Sequence, residues 1–289
     1  MSWAEWIAGA PVLADGAWGT ELQKQGLGLG ELPDAWNLSH PEKVAGIARA
    51  YHDAGSHVIL TNTFRANAIS LAAHGLADKV AEINRAGAEI SKRAAPGALV
   101  FGSIGPSGKL PAAGEVSEEA LLAAFSAQAE ALARGGADAL LIETMSDLEE
   151  ALIALRAAKR TGLAVVVSFA FDTGKNKDRT MTGATPERVA NAMTEAGVDA
   201  VGANCGVGID QCVVLCRRMR AATHLPLWMK PNAGLPELIH GAVEYRTTAG
   251  EFASFVPALR DAGATFIGGC CGTNPEFIRA AAAALGACT

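Results

Sequence analysis

A chain of 289 residues that is 50% hydrophobic, 19% charged and carries a net charge of −6 has the composition of a globular protein with ample core. The acidic balance excludes the basic footprint of a nucleic-acid binder, and no basic amphipathic stretch marks a membrane surface. No window approaches 18 uncharged apolar residues, no basic leader opens the chain, and six cysteines do not make a disulfide framework at this length; together these predict a cytoplasmic protein whose thiols are free or bind metal.

In chain order, short apolar runs alternate with longer helical patterns. PVLAD (11–15) is the first run, followed by the helical PEKVAGIARAYHDAG and then HVILTN (57–62). LADKVAEINRAGAEISKRAA reads as a helix before ALVFGSIG (98–105). SEEALLAAFSAQAEALARGG (117–136) is the clearest helix, with Ser117 as N-cap and Gly135-Gly136 as its stop, and DALLIE (138–143) follows. DLEEALIALRAAKRTG leads to AVVVSF (164–169), and TPERVANAMTEAG leads to DAVGAN (199–204). LPLWMK (225–230), the helical TAGEFASFVPALRDAG and ATFIGG (264–269) complete the series.

The runs lack polar alternation, as parallel strands buried on both faces do. Four of them follow a glycine stop, at Gly55, Gly136, Gly197 and Gly263. Eight strand–helix units predict an α/β fold, a (β/α)8 TIM barrel forming a single domain over residues 1–289. The alternative, a doubly wound sheet, lacks a G-x-G-x-x-G after its first strand; GLGLGE (26–31) and GPSGKL (105–110) do not fit phosphate loops.

In a barrel the C-terminal ends of the strands form the active site. Those ends carry Asp15-Gly16, Thr61-Asn62-Thr63, Gly105-Pro106-Ser107, Glu143-Thr144, Ser168, Asn204-Cys205, Lys230-Pro231-Asn232 and Cys270-Cys271. Adjacent α-carbons lie about 3.8 Å apart, too close for an unstrained disulfide between Cys270 and Cys271. Both can ligate one metal if the chain turns sharply, as Gly268, Gly269 and Gly272 permit. Cys205, two strands away, completes a trio. Three thiolates suit Zn²⁺, and three ligands with an open fourth position describe a catalytic site. Buried apolar cysteines are the competing reading for the trio, and the preferred one for Cys212 and Cys216 on a helical face. Cys288 lies in the tail, and the six histidines show no metal-ligand spacing.

DGAWGTELQ (15–23), TNTF (61–64), GSIGPSGKL (102–110), ETMSD (143–147), TMTGATPE (180–187), GANCG (202–206), PNAGLP (231–236) and GGCCGTNPEFI (268–278) resemble the motifs of the homocysteine S-methyltransferases. The resemblance runs along nearly the whole chain. It implies a (β/α)8 barrel whose zinc is held by Cys205, Cys270 and Cys271, and transfer of a methyl group to homocysteine to give methionine. It also implies substrate-ammonium contacts at Asp15 and Glu143, and a substrate carboxylate near the backbone N–H groups of Gly16 and Ala17. Asn204 and Asn232 are supporting residues. The betaine-using branch has tyrosines where Arg65 and Thr144 stand here, whereas GPSGKL and PNAGLP are similar to the homocysteine module of cobalamin-dependent methionine synthase. The expected donor is a methyl-corrinoid or methyl-folate system supplied in trans. A small sulfonium or quaternary ammonium donor is the alternative, with Trp18 or Trp36 facing it, although core or loop packing is preferred for each. A different chemistry on the same barrel, Schiff-base formation at Lys230, would leave the three cysteines idle.

Overall fold

The computed structural model describes all residues except 1, 2, 10, 29, 240, 241 and 287–289, so Cys288 lies outside the described residues. Each apolar run contributes one strand of an eight-stranded parallel sheet. In sequence these are β1 (Val12–Leu13), β2 (Val58–Leu60), β3 (Leu99–Ile104), β4 (Ala139–Met145), β5 (Ala164–Phe169), β6 (Ala200–Gly208) and β7 (Leu227–Asn232). A short antiparallel hairpin, β8 (Glu237–Ile239) with β9 (Ala242–Glu244), interrupts the pattern before β10 (Phe266–Ile267). Neighbours run β1-β10-β7-β6-β5-β4-β3-β2. The remaining edges meet through a parallel bridge of Ala14 with Val58, where His57 N donates to Leu13 O at 2.7 Å and Asp15 N to Val58 O at 3.1 Å. The sheet is thereby a barrel.

The helices are α1 (Trp3–Ala8), α2 (Trp18–Lys24), α3 (Trp36–Ser39), α4 (Pro41–Asp53), α5 (Ala68–Ala72), α6 (Val80–Ala94), α7 (Glu118–Arg134), α8 (Leu148–Lys159), α9 (Pro186–Glu195), α10 (Ile209–Ala222), α11 (Ala249–Asp261) and α12 (Pro275–Gly286). Ser117 caps α7 as its sequence predicts, its side chain accepting from Ala120 N, and Thr248 closes a full capping box on α11. The glycine stops at 55, 136, 197 and 263 all take positive φ, between 69° and 104°. Such a turn returns the chain to the next strand without a Cβ penalty.

Two apolar layers result. Outward strand residues such as Ile104, Leu140, Val167 and Met229 pack under the helices. Inward residues, among them Val58, Phe101, Leu141, Val166, Trp228 and Phe266, fill the barrel itself. Trp228 lies 5.7 Å from Phe101 and 5.3 Å from Phe266, ring to ring, and Trp3 of α1 closes over both phenylalanines from below. Gly202 is required beside this plug, because a Cβ there would collide with the Trp228 backbone. β4 and β6 extend past their expected ends. Each shifts register near its end, between Ile142 and Met145 and between Asn204 and Gly208, and then resumes pairing.

Candidate active site

Side chains alternate faces along a strand, so a residue two places after an inward one is also inward. Above Phe101, Leu141, Val166 and Trp228 this rule places Ser103, Glu143, Ser168 and Lys230, and Asn204 joins them above Gly202. The apolar plug therefore ends in one polar layer. A cavity of about 310 Å³ opens above it. Its lining includes Gly16, Ala17, Trp18, Asp34, Leu60, Phe64, Arg65, Ser103, Glu143, Thr144, Lys230 and all three cysteines of the trio.

The loop after β10 is fastened on both sides. Gly269 N donates to Asp15 O at 2.9 Å, Cys270 N to Pro231 O at 2.8 Å, and Ala233 N to Cys271 O at 2.9 Å. Buried Thr273 donates to Cys270 O at 2.7 Å and accepts from Ala17 N at 3.2 Å. Gly272 takes φ 81°, and a Cβ there would collide with the Tyr245 ring. On the other side of the mouth, Cys205 sits at φ 60° in the kink of β6. An L-residue pays of order 1–3 kcal/mol for such a conformation, which persists where the surroundings over-determine it. Here it turns the sulfur of Cys205 to 3.6 Å from that of Cys271.

The sulfurs of Cys205, Cys270 and Cys271 all lie within 4.8 Å of one another. Tetrahedral Zn–S bonds of about 2.3 Å place sulfurs roughly 3.8 Å apart, so the set fits one ion. The thiol chemistry agrees. At Cys205 a hydrogen bond with Cys270 works downward, but the bond with Cys271, burial and the Cys271 charge together push its pKa up to about 12. At Cys271 the bond with Cys205 is likewise outweighed, chiefly by the bond with Cys270 and its charge, and the result is again about 12. Cys270 is raised as well, first by its hydrogen bond with Cys205 and then by burial. Left to themselves the three thiols stay protonated at neutral pH, and a bound cation is what could hold them together as thiolates. Cys212 and Cys216, by contrast, are buried in the outer core.

Glu143 receives the hydroxyl of Ser103 at 2.5 Å and faces the amide of Asn204 at 3.5 Å. Burial pushes its carboxyl pKa up, against the opposing pull of the Lys230 charge and the Ser103 bond. Asn204 fastens the neighbourhood: its Oδ1 accepts from Thr144 N at 2.9 Å and Ser168 Oγ at 2.6 Å, and its Nδ2 donates to Thr144 Oγ1 at 2.7 Å. Those bonds hold Thr144 at φ 59° in the kink of β4.

Asp15 is fully buried, and its carboxylate already has three donors. Lys230 Nζ approaches Oδ1 at 2.5 Å, while Leu60 N and Trp18 Nε1 approach Oδ2, each at 2.8 Å. Gly16 and Ala17 line the cavity, but the Ala17 N–H is given to Thr273. Asn232 is buried in β7 outside the cavity lining, its Oδ1 without a protein partner. Trp18 lines the cavity as well as bonding Asp15, and Trp36 packs in the outer core with its indole on Glu31 at 3.2 Å. Ser103, Thr273 and Asp34 were not singled out by sequence. The first follows from the two-residue step beyond Phe101; the others depend on contacts between distant segments. Asp34 is 2% exposed at the cavity wall, accepts from Arg65 N at 2.9 Å, and has its pKa pushed up to about 6 by burial.

Residues 12–285 match the family described as homocysteine S-methyltransferase. The chain belongs to that family. It is 32% identical to the methionine synthases of Mycobacterium leprae and Mycobacterium tuberculosis, over 98% and 95% of its own length. It spans about a quarter of the length of those curated relatives, 25% and 24%. The metallated form of the homocysteine methyltransferase MmuM from Escherichia coli superposes with a TM-score of 0.80 at 26% identity, over 96% of this chain and 97% of that one. Among the described residues no helix is long and apolar enough to cross a membrane.

Proposed function

We propose that this barrel is an S-methyltransferase that converts homocysteine to methionine, with Cys205, Cys270 and Cys271 holding Zn²⁺. The observation that carries the reading is the three-sulfur cluster at the mouth of a buried, amino-acid-sized cavity in a chain of this family. Bound there, zinc supplies a Lewis acid that keeps an acceptor thiol ionised at neutral pH. The chain's own groups do the rest. Glu143, steadied by Ser103 and Asn204, presents a carboxylate for the substrate ammonium. Asp15, its carboxylate held by Lys230, Leu60 N and Trp18 Nε1, is the second carboxylate toward that ammonium, and Asn232 supports the wall from outside the cavity. Leu60, Phe64 and Trp18 give the cavity apolar walls, which strengthens each polar contact inside it.

The methyl group we propose comes from a methyl-corrinoid or methyl-folate system in trans. Support lies in the identity to the methionine synthases and in Arg65 and Thr144, which line the cavity where an aromatic cage for a quaternary ammonium would need rings. Nothing in the site favours Schiff-base chemistry. Lys230 sits in an ion pair with Asp15, and a paired ammonium is no nucleophile.

The test is metal analysis followed by a donor panel with homocysteine: methylcobalamin, methyl-folate with a corrinoid protein, S-methylmethionine, dimethylsulfoniopropionate and betaine. About one zinc per chain is expected, lost in Cys271→Ala together with at least about 100-fold of the methionine-forming rate, with the far-ultraviolet circular dichroism retained. Active protein free of zinc would sink the metal reading, and rapid turnover with betaine would sink the donor reading.

A further inference from the structure

We propose that Tyr245 is a positioning residue for the metal centre: its hydroxyl donates a hydrogen bond to the Cys271 sulfur and sets how much charge that sulfur passes to a bound ion. The proposal rests on the zinc reading above. The β8–β9 hairpin stands outside the strand–helix alternation of the barrel and delivers this residue. Its ladder pairs Glu237 with Glu244, directly before Tyr245. Arg246, directly after it, closes back on Glu237 with Nε 2.7 Å from Oε2. The chain then returns to the end of β7, where Thr247 N donates to Ala233 O at 3.3 Å. Ala233 N in turn donates to Cys271 O at 2.9 Å. One residue thus ties the Tyr245 segment to the cysteine loop.

The side chain of Tyr245 lies on that loop. Half-buried, it covers Gly272 so closely that a Cβ there would sit 2.6 Å from Tyr245 Cδ2 and 2.7 Å from its Cβ. The hydroxyl hydrogen-bonds Cys271, and the charges of Cys205 and Cys270 reach it as well. A zinc-bound sulfur is a thiolate with acceptor capacity only, so the phenol is the donor. Each sulfur of the trio then has one donor from outside the trio. Cys205 has the backbone N–H of Gly206, Cys270 the Asn204 amide at 4.0 Å, and Cys271 has Tyr245. Tyr245 does not line the cavity, so it acts on a substrate only through that sulfur. A thiolate that shares its charge with a phenol gives less to its metal, which leaves the metal a stronger Lewis acid toward a fourth, thiol ligand. The competing role, filling the space over Gly272, needs the ring and not the hydroxyl.

The test needs no methyl donor. Co²⁺ replaces Zn²⁺ as an optical probe in the wild type and in Tyr245→Phe, which keeps the ring on Gly272 and removes the hydroxyl alone. Loss of the hydrogen bond raises the energy of the sulfur electrons. The thiolate-to-cobalt charge-transfer band should therefore move to longer wavelength, while the d–d bands keep their tetrahedral intensity. Competition with a chelator should show Zn²⁺ held about 10-fold more weakly by the variant. A charge-transfer band that matches the wild type overturns the inference, with or without a change in affinity, because ring packing is then all that Tyr245 supplies; the zinc reading is left standing. Wild-type protein that takes up neither ion at the three thiols overturns both.

Discussion

The two ends of the barrel interior are built from the same strands and differ in almost everything else. The lower end is a dry stack of Phe101, Trp228 and Phe266 closed from below by Trp3, with no charge among its members. One side-chain layer higher are Ser103, Glu143, Ser168, Asn204 and Lys230, every one hydrogen bonded. The lower layer places apolar area where water cannot follow, which is where stability comes from. The upper layer buries charges and hydroxyls at a cost, and holds backbone at φ 59° and 60° beside them. A site of this kind can be afforded only because the layer beneath it is rigid.

If that division is right, the largest stability effect belongs to the lower end. Phe101→Ala removes a fully buried ring that contacts Trp3, Trp6, Trp228 and Phe266. A loss of about 3–5 kcal/mol is expected in urea unfolding, with homocysteine affinity of the remaining native protein changed less than about threefold. A small stability loss with a large affinity loss would break the division.

The upper end should respond to pH instead. Asp34 has a folded-state pKa of about 6 against an ordinary 3.8, because burial disfavours its carboxylate. The native state therefore holds the proton more tightly than the unfolded chain does. Stability falls as pH rises from about 4 to about 6, and stays reduced above that. At about 1.4 kcal/mol per unit the full penalty is roughly 3 kcal/mol. Asp34→Asn keeps an acceptor for Arg65 N and removes the charge. The variant should match the wild type near pH 4 and exceed it by an amount that grows to a plateau above pH 6. A difference independent of pH would show that the carboxyl is better solvated than its burial indicates.

The same contrast explains what could be read in advance. Each of the eight strand-forming runs contains its strand's core, and the glycine stops marked where four of the strands begin. The convergence of Cys205, Cys270 and Cys271 followed from strand order alone. The polar layer was harder to read because strands buried on both faces show no polar alternation until their last turn. Ser103 and Ser168 look like ordinary strand residues unless the inward phase is already known from Phe101 and Val166. The Lys230–Asp15 pair joins positions 215 residues apart, and no local signal encodes it. The hairpin of β8 and β9 was missed because ELI and AVE are too short to rise above a loop. The kinks at Thr144 and Cys205 were illegible for another reason: threonine and cysteine have no preference for positive φ, so only their partners impose it.

Those kinks supply the smallest and most selective test of the comparison. Thr144→Ala and Thr144→Gly both delete the Oγ1 that accepts from Asn204 Nδ2, so that loss cancels between them. At an unstrained position in the lower end, alanine would be the more stable of the two by about 0.4–1 kcal/mol, because glycine has more freedom to lose on folding. At φ 59° the order should reverse: alanine carries the left-handed penalty of about 1–2 kcal/mol and glycine does not. The glycine variant is therefore expected to be the more stable by about 1 kcal/mol, measured as a difference in urea midpoint at equal slope. It should also hold Glu143 less firmly and raise the KM for homocysteine more than the alanine variant does. Alanine proving more stable would mean that the β4 kink relaxes freely once Thr144 is gone, and that the upper end stores no strain there to set it apart from the lower.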